Sequence, residues 1–96
     1  MQFLVLARDG TDAEAPARRQ KSRADHLAVM AKLKATGNFI FGGAILDEQG
    51  NMVGSAGVFD FPDRTRLDKW LACDPYVTGK VWQQIDVQPF RAAKVD

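Results

Sequence analysis

The sequence predicts an α+β fold whose elements follow one another as βαββαβ. Four short stretches are apolar on alternate residues or throughout and are bounded by Gly, Pro, Asp or Asn, as strands are. Two stretches between them carry apolar residues at helical spacing, each with a proline near its start. The chain has 96 residues, 46% hydrophobic and 26% charged, which suits one domain (1–96) at the small end of the range that folds alone.

Gln2–Arg8 reads as the first strand, with Phe3, Val5 and Ala7 on one face and Leu4 and Leu6 on the other. Asp9–Ala15 reads as a turn in which Asp12 is the expected N-cap. A long helix follows, with Pro16 in its first turn, running to about Thr36 and closed by Gly37. Val29, Met30 and Leu33 share one stripe of it; His26 falls in the middle of that stripe, and Arg19 and Arg23 extend it toward the N-terminal end. A face that turns from greasy to polar along its length suits a helix lying over a sheet with its first half lining a pocket. Arginine stems running along a solvent edge give the same pattern.

Asn38–Leu46 reads as the second strand, with Phe39, Phe41 and Ile45 expected on one face and Ile40, Ala44 and Leu46 on the other. Gly42-Gly43 within it signals a bulge or a place where a ligand or another backbone comes close. Asp47–Asn51 has the composition of a hairpin turn. In the third strand, Met52–Phe61, Val53, Ser55, Gly57 and Phe59 face one way and Met52, Gly54, Ala56 and Val58 the other. Pro62 is expected to open the second helix, where Leu67, Trp70, Leu71 and Asp74 fall on one buried stripe. Val81–Phe90 reads as the last strand, with Val81, Ile85 and Val87 on one face and Trp82 and Phe90 on the other. Residues 91–96 read as a loose polar tail.

Two helices can cover one face of a four-stranded sheet, yet the first three strands are apolar on both faces. A bare apolar face of that size invites aggregation, so a second copy of the chain is expected to cover it, sheet against sheet, in a two-fold dimer. The net charge of +1 gives no basic stripe for nucleic acid and no special attraction to an anionic membrane. No apolar run approaches the roughly 20 residues of a membrane helix, and the N-terminus reads as a strand and not a signal peptide. A single cysteine allows no internal disulfide, which suits the cytoplasm, and one histidine far from that cysteine supplies no zinc set.

The chemistry-bearing candidates are few. His26 faces the core side of its helix, three residues from Arg23, either as a buried neutral imidazole bonded to a carbonyl or as an acid–base group. Asp74 precedes Pro75 and is an ordinary N-cap for a short turn, Pro75–Gly79; its second oxygen is available to accept the His26 N–H and fix the tautomer. Ser55 is a small polar residue on an apolar strand face, between Gly54 and Gly57, a pattern that more often marks a satisfied core serine than a site residue. No Gly-X-Ser-X-Gly elbow accompanies it. Tyr76 offers an aromatic wall or a phenol donor, or simply plugs the end of the helix. Cys73, beside Asp74, reads as packing, and Trp70 and Trp82 as core and interface.

Arg23…His26-Leu27, Gly43, Gly54-Ser55, Asp74-Pro75-Tyr76-Val77 and Pro89-Phe90 together resemble the YCII-related domain family over nearly the whole chain. The resemblance implies a ferredoxin-like α+β fold, four antiparallel strands with two helices on one face, paired as a dimeric α+β barrel. It implies a His and Asp active-site pair with a Ser nearby, carried here by His26, Asp74 and Ser55, and a pocket to which Arg23, Gly43 and Tyr76 contribute. Most members have no assigned reaction. One relative is described as a dehydrochlorinase of a chlorinated hydroxyhydroquinone that needs no cofactor, and related barrels include muconolactone isomerases and cofactor-free monooxygenases. Two positions depart from the pattern: Ala44 stands where many members have proline, and Asp25 where a small residue is common. The implied activity is a cofactor-free, metal-free lyase or isomerase acting on a small anionic or phenolic molecule. The alternatives are a non-catalytic dimer that binds such an anion, or a structural dimer with a vestigial pocket.

Overall fold

Alternation of side chains decides how the first strand sits. In the computed structural model, which describes residues 1–95, β1 (Gln2–Asp9) buries Phe3, Val5 and Ala7 and leaves Leu4 half-buried and Leu6 exposed. Then come α1 (Ala15–Ala35), β2 (Phe39–Leu46), β3 (Met52–Asp60), α2 (Arg64–Cys73), a one-turn α3 (Pro75–Thr78) and β4 (Trp82–Phe90). The strands form one antiparallel sheet in the order β2-β3-β1-β4, the ferredoxin-like arrangement. Phe3, Val5 and Ala7 meet Met30 of α1, Leu67 and Trp70 of α2, and Tyr76 of α3 in the main core. Among the described residues, no helix is long and apolar enough to cross a membrane.

The helix ends differ from expectation. Asp12 does not cap α1. The N-cap is Glu14, which contributes no side-chain bond, and Asp12 instead forms a two-pronged ion pair with Arg18 at 2.6 and 2.8 Å. Gly37 follows the C-cap Thr36 with φ +81°, the left-handed conformation that lets a helix stop there. Asp63, and not Pro62, opens α2: its carboxylate accepts the Arg66 amide at 2.8 Å. Cys73 is exposed at the end of α2 and does not pack.

Two bulges overturn the expected faces of β2 and β4. Phe39 pairs with Phe59, but Phe41 pairs with Val58, so an extra residue lies at Ile40 and not at Gly42-Gly43. Phe39 therefore turns to the helix-covered face and Phe41 to the uncovered one. In β4, Ile85 pairs with Ala7 and Gln84 with Arg8, yet Trp82 pairs with Asp9. The extra residue at Gln83 swings Trp82 to the helix-covered face, where it is buried, instead of leaving it beside Phe90. Of the expected tail, Asp96 lies outside the described residues; the Ala92 amide donates to Gln2 Oε1 at 2.7 Å.

Candidate functional site

One face of α1 sets the site. Arg19, Arg23 and His26 are four and three residues apart and so stack along one side of the helix over the sheet. Facing them, the chain leaves α2 through Asp74, which is extended (φ −65°, ψ 136°) and serves at once as C-cap of α2 and N-cap of α3. Pro75 in the first turn of α3 donates nothing and has its φ pre-set for a helix.

Asp74 is fully buried and accepts three bonds. Its Oδ2 takes the Tyr76 amide at 2.9 Å and His26 Nδ1 at 2.7 Å, and its Oδ1 takes Trp70 Nε1 at 3.1 Å. A carboxylate only accepts, so in the neutral ring the proton of His26 sits on Nδ1 and the lone pair of Nε2 is left for a ligand. The imidazole is held from the sides as well. Tyr76 stacks on it at 3.8 Å and 11° between planes, and the Trp82 ring meets it edge-on at 5.5 Å. Burial raises the Tyr76 phenol above its ordinary value of 10.0, against a smaller opposing pull from Arg19 and Arg23, so it remains a proton donor at neutral pH.

A hollow of about 220 Å³ opens in front of these groups, lined at one end by Arg19, Arg23, His26, Ser55, Tyr76 and Trp82 and at the other by Met30 and Phe39. Its floor is built from small residues on β2 and β3. Gly42 opposes Gly57 and Ala44 opposes Ser55. A Cβ on Gly42 would come 2.6 Å from the Ala56 carbonyl, and one on Gly57 would come 2.7 Å from the Phe59 ring. Gly43 also lines the hollow, but a Cβ there would meet nothing within 4 Å, so packing does not demand its glycine. A wider, open cleft shares Arg19 and Arg23 with the hollow and leads outward past Arg8 and Gln84.

All six sequence-nominated residues thus line the hollow or, for Asp74, stand directly behind it. Sequence reasoning did not nominate Asp9, and it read Arg19 only as part of a stripe. The two form a buried ion pair, with both carboxylate oxygens of Asp9 2.9 Å from Arg19 Nη1. Arg19 lies four residues before Arg23 and seven before His26, a spacing that marked it for the same wall. Trp82 was missed as a site residue because the bulge that turns it inward carries no side-chain signature. Among the described residues, no three or more His, Cys, Asp or Glu side chains converge.

Known proteins share this architecture. The chain is 27% identical over 97 residues to Protein YciI of Escherichia coli O6:H1, covering 95% of this chain and 97% of that one, and equally to Protein YciI of Shigella flexneri. Among solved structures it superimposes on 5-chloro-2-hydroxyhydroquinone dehydrochlorinase (TftG) of Burkholderia phenoliruptrix, in complex with 2,5-dihydroxybenzoquinone. That match has a TM-score of 0.82 and 22% identity over 97% of this chain and 96% of that one. An antibiotic biosynthesis monooxygenase matches with a TM-score of 0.54 and 15% identity, over 98% of this chain and 100% of that one. At these identities the structural matches establish the fold. The model of the YCII-related domain matches residues 1–91, and the chain belongs to that family.

Proposed function

We propose that the hollow is the active site of a small acid–base enzyme, a lyase or isomerase that works without a cofactor on a small anionic or phenolic molecule. One observation carries the reading: His26 Nδ1 is tied to a buried carboxylate at 2.7 Å, and the other ring nitrogen remains for whatever enters the hollow. In an elimination from a chlorinated hydroxy-ring, Nε2 takes a proton from a ring hydroxyl and returns it to the chlorine-bearing carbon, which gives the keto tautomer. Removal of a second hydroxyl proton then sends its electron pair into the ring as chloride departs past Arg23. In an isomerisation the same nitrogen returns the proton to another carbon. Asp74 holds the tautomer and orientation. Ser55 and Tyr76 donate to ligand oxygens, Arg23 draws the anion in, and Gly43 contributes backbone alone, since a side chain there would point to the other face of the sheet. The likeness to a dehydrochlorinase bound to a quinone makes chlorinated and hydroxylated rings the first substrates to try.

Incubation with 5-chloro-2-hydroxyhydroquinone and a panel of enol lactones, read as chloride release or as proton exchange with deuterated water, tests this. His26→Ala is expected to lower turnover by about 10²–10⁴-fold, the contribution of one placed acid–base group. Undiminished turnover in that variant overturns the mechanism. Binding of 2,5-dihydroxybenzoquinone with no turnover of any substrate would point to a ligand-binding dimer. The dimer is the second part of the proposal: a second copy covers the sheet face that carries Leu6 and Phe41.

A further inference from the structure

Ser55 has two partners, and both of them donate to it. Arg19 Nη2 lies 3.0 Å and Trp82 Nε1 3.1 Å from Ser55 Oγ. Guanidinium and indole nitrogens are donors only, so the two contacts occupy both lone pairs of the hydroxyl. The hydroxyl keeps only its proton, for which the described residues supply no acceptor, and Ser55 lines the same hollow as His26.

Arg19 is not free to turn away. Its Nη1 donates to both oxygens of Asp9, and its guanidinium lies 4.8 Å over the Tyr76 ring. The Arg19 and Asp9 side chains are 8% and 5% exposed. Burying such a pair costs desolvation that two apolar side chains of like volume would avoid. Simply joining α1 to the end of β1 does not require the third contact, to Ser55.

We infer that Arg19, locked by Asp9, is a positioning residue that makes Ser55 a donor-only group, so that the hollow selects ligands placing an oxygen acceptor, above all a phenolate or enolate oxygen, against Ser55 and rejects those placing an N–H donor there. This deepens the acid–base proposal and rests on its assignment of the hollow as the substrate site. A ligand amine at this point meets a proton and no lone pair, and an unmet buried donor weakens binding by roughly tenfold or more.

The test compares 4-nitrophenolate with 4-nitroaniline, coloured rings of like shape that present an oxygen acceptor or an amine donor. Dissociation constants are read on the full chain by absorbance and tryptophan fluorescence. Wild type is expected to favour the phenolate by at least about tenfold. Ser55→Ala, and the paired change Asp9→Leu with Arg19→Met, each leave the net charge of the pocket unchanged. Both are expected to shrink that preference by about tenfold. A merely structural Arg19 would weaken both ligands alike and leave the ratio intact. Ser55→Ala removes no charge and little volume, so the ratio can be read even where the paired variant fails to fold. An unchanged ratio in Ser55→Ala, or no binding of 4-nitrophenolate by wild type, overturns the inference. His26→Ala is expected to retain the preference, so a failure of the acid–base reading is seen separately, as no turnover by wild type or undiminished turnover in His26→Ala, with the ratio preserved.

Discussion

Asp74 satisfies a helix start, an indole and an imidazole with two oxygens, and its consequence for His26 can be isolated. An Asp74→Asn side chain keeps one acceptor but turns the other arm into a donor. It then donates to Nδ1, which puts the ring proton on Nε2 and removes the lone pair that faces the hollow. Turnover is expected to fall by about 10²–10⁴-fold. The arm that meets Nδ1 also accepts the Tyr76 amide, so that buried donor loses its acceptor, for a stability loss of about 1–3 kcal/mol. Nitrogen NMR of the imidazole checks the change directly: the wild-type resonances should report the Nδ1–H tautomer and those of the variant Nε2–H. The same tautomer in both would sink the account. At this scale much was legible. His26 and Asp74 each fell on an inward stripe, and only one histidine was available to meet the carboxylate. The Asp9–Arg19 pair was not, because an arginine near the start of an amphipathic helix has the same pattern whether its head reaches water or a buried carboxylate.

Elements were legible in kind and less so in face. Every strand and helix lies where periodicity puts it, within a few residues, because each has a buried side with a clear period. The errors sit beside the irregularities at Ile40, Val53 and Gln83, which turn Phe39, Met52 and Trp82 to the helix-covered face, since one inserted residue inverts every side chain beyond it and no residue type announces it. The start of α1 was also misread, and its ion pair yields a pH prediction. Hydrogen bonds from Arg18 hold the Asp12 carboxyl down from 3.8 to about 2. A depressed carboxyl binds its proton more readily in the unfolded chain, so its stabilising effect is fully present above 3.8 and is lost as pH falls through about 2. Carboxyl-carbon NMR should give an Asp12 midpoint near 2 that moves back toward 3.8 in Arg18→Gln. An unmoved midpoint would mean that backbone donors, and not the guanidinium, hold the proton off.

At the scale of the whole molecule the question is what covers the second face of the sheet. Three cross-strand rows run over it: Ile45, Gly54, Arg8 and Gln84; Gly43, Ala56, Leu6 and Asp86; Phe41, Val58, Leu4 and Gln88. The apolar part lies on β2, β3 and β1, with Gln84, Asp86 and Gln88 along β4 and Phe90 at its end, so the patch is bounded on that side as an interface is, with a greasy centre and a mostly wet rim. Phe41 is 63% exposed and Leu6 36%, although neighbours on the same face such as Val58 are buried. A two-fold contact counts each residue twice, and covering a large apolar side chain contributes roughly 1.5–3 kcal/mol. Phe41→Glu should therefore weaken a dimer by at least about a hundredfold. It should leave the hollow intact, because Phe41 points away from it. Sedimentation of wild type at micromolar concentration is expected to show twice the mass of one chain, and Phe41→Glu one. A wild-type monomer under those conditions would remove the dimer and leave the Phe41 patch to be explained by some other partner.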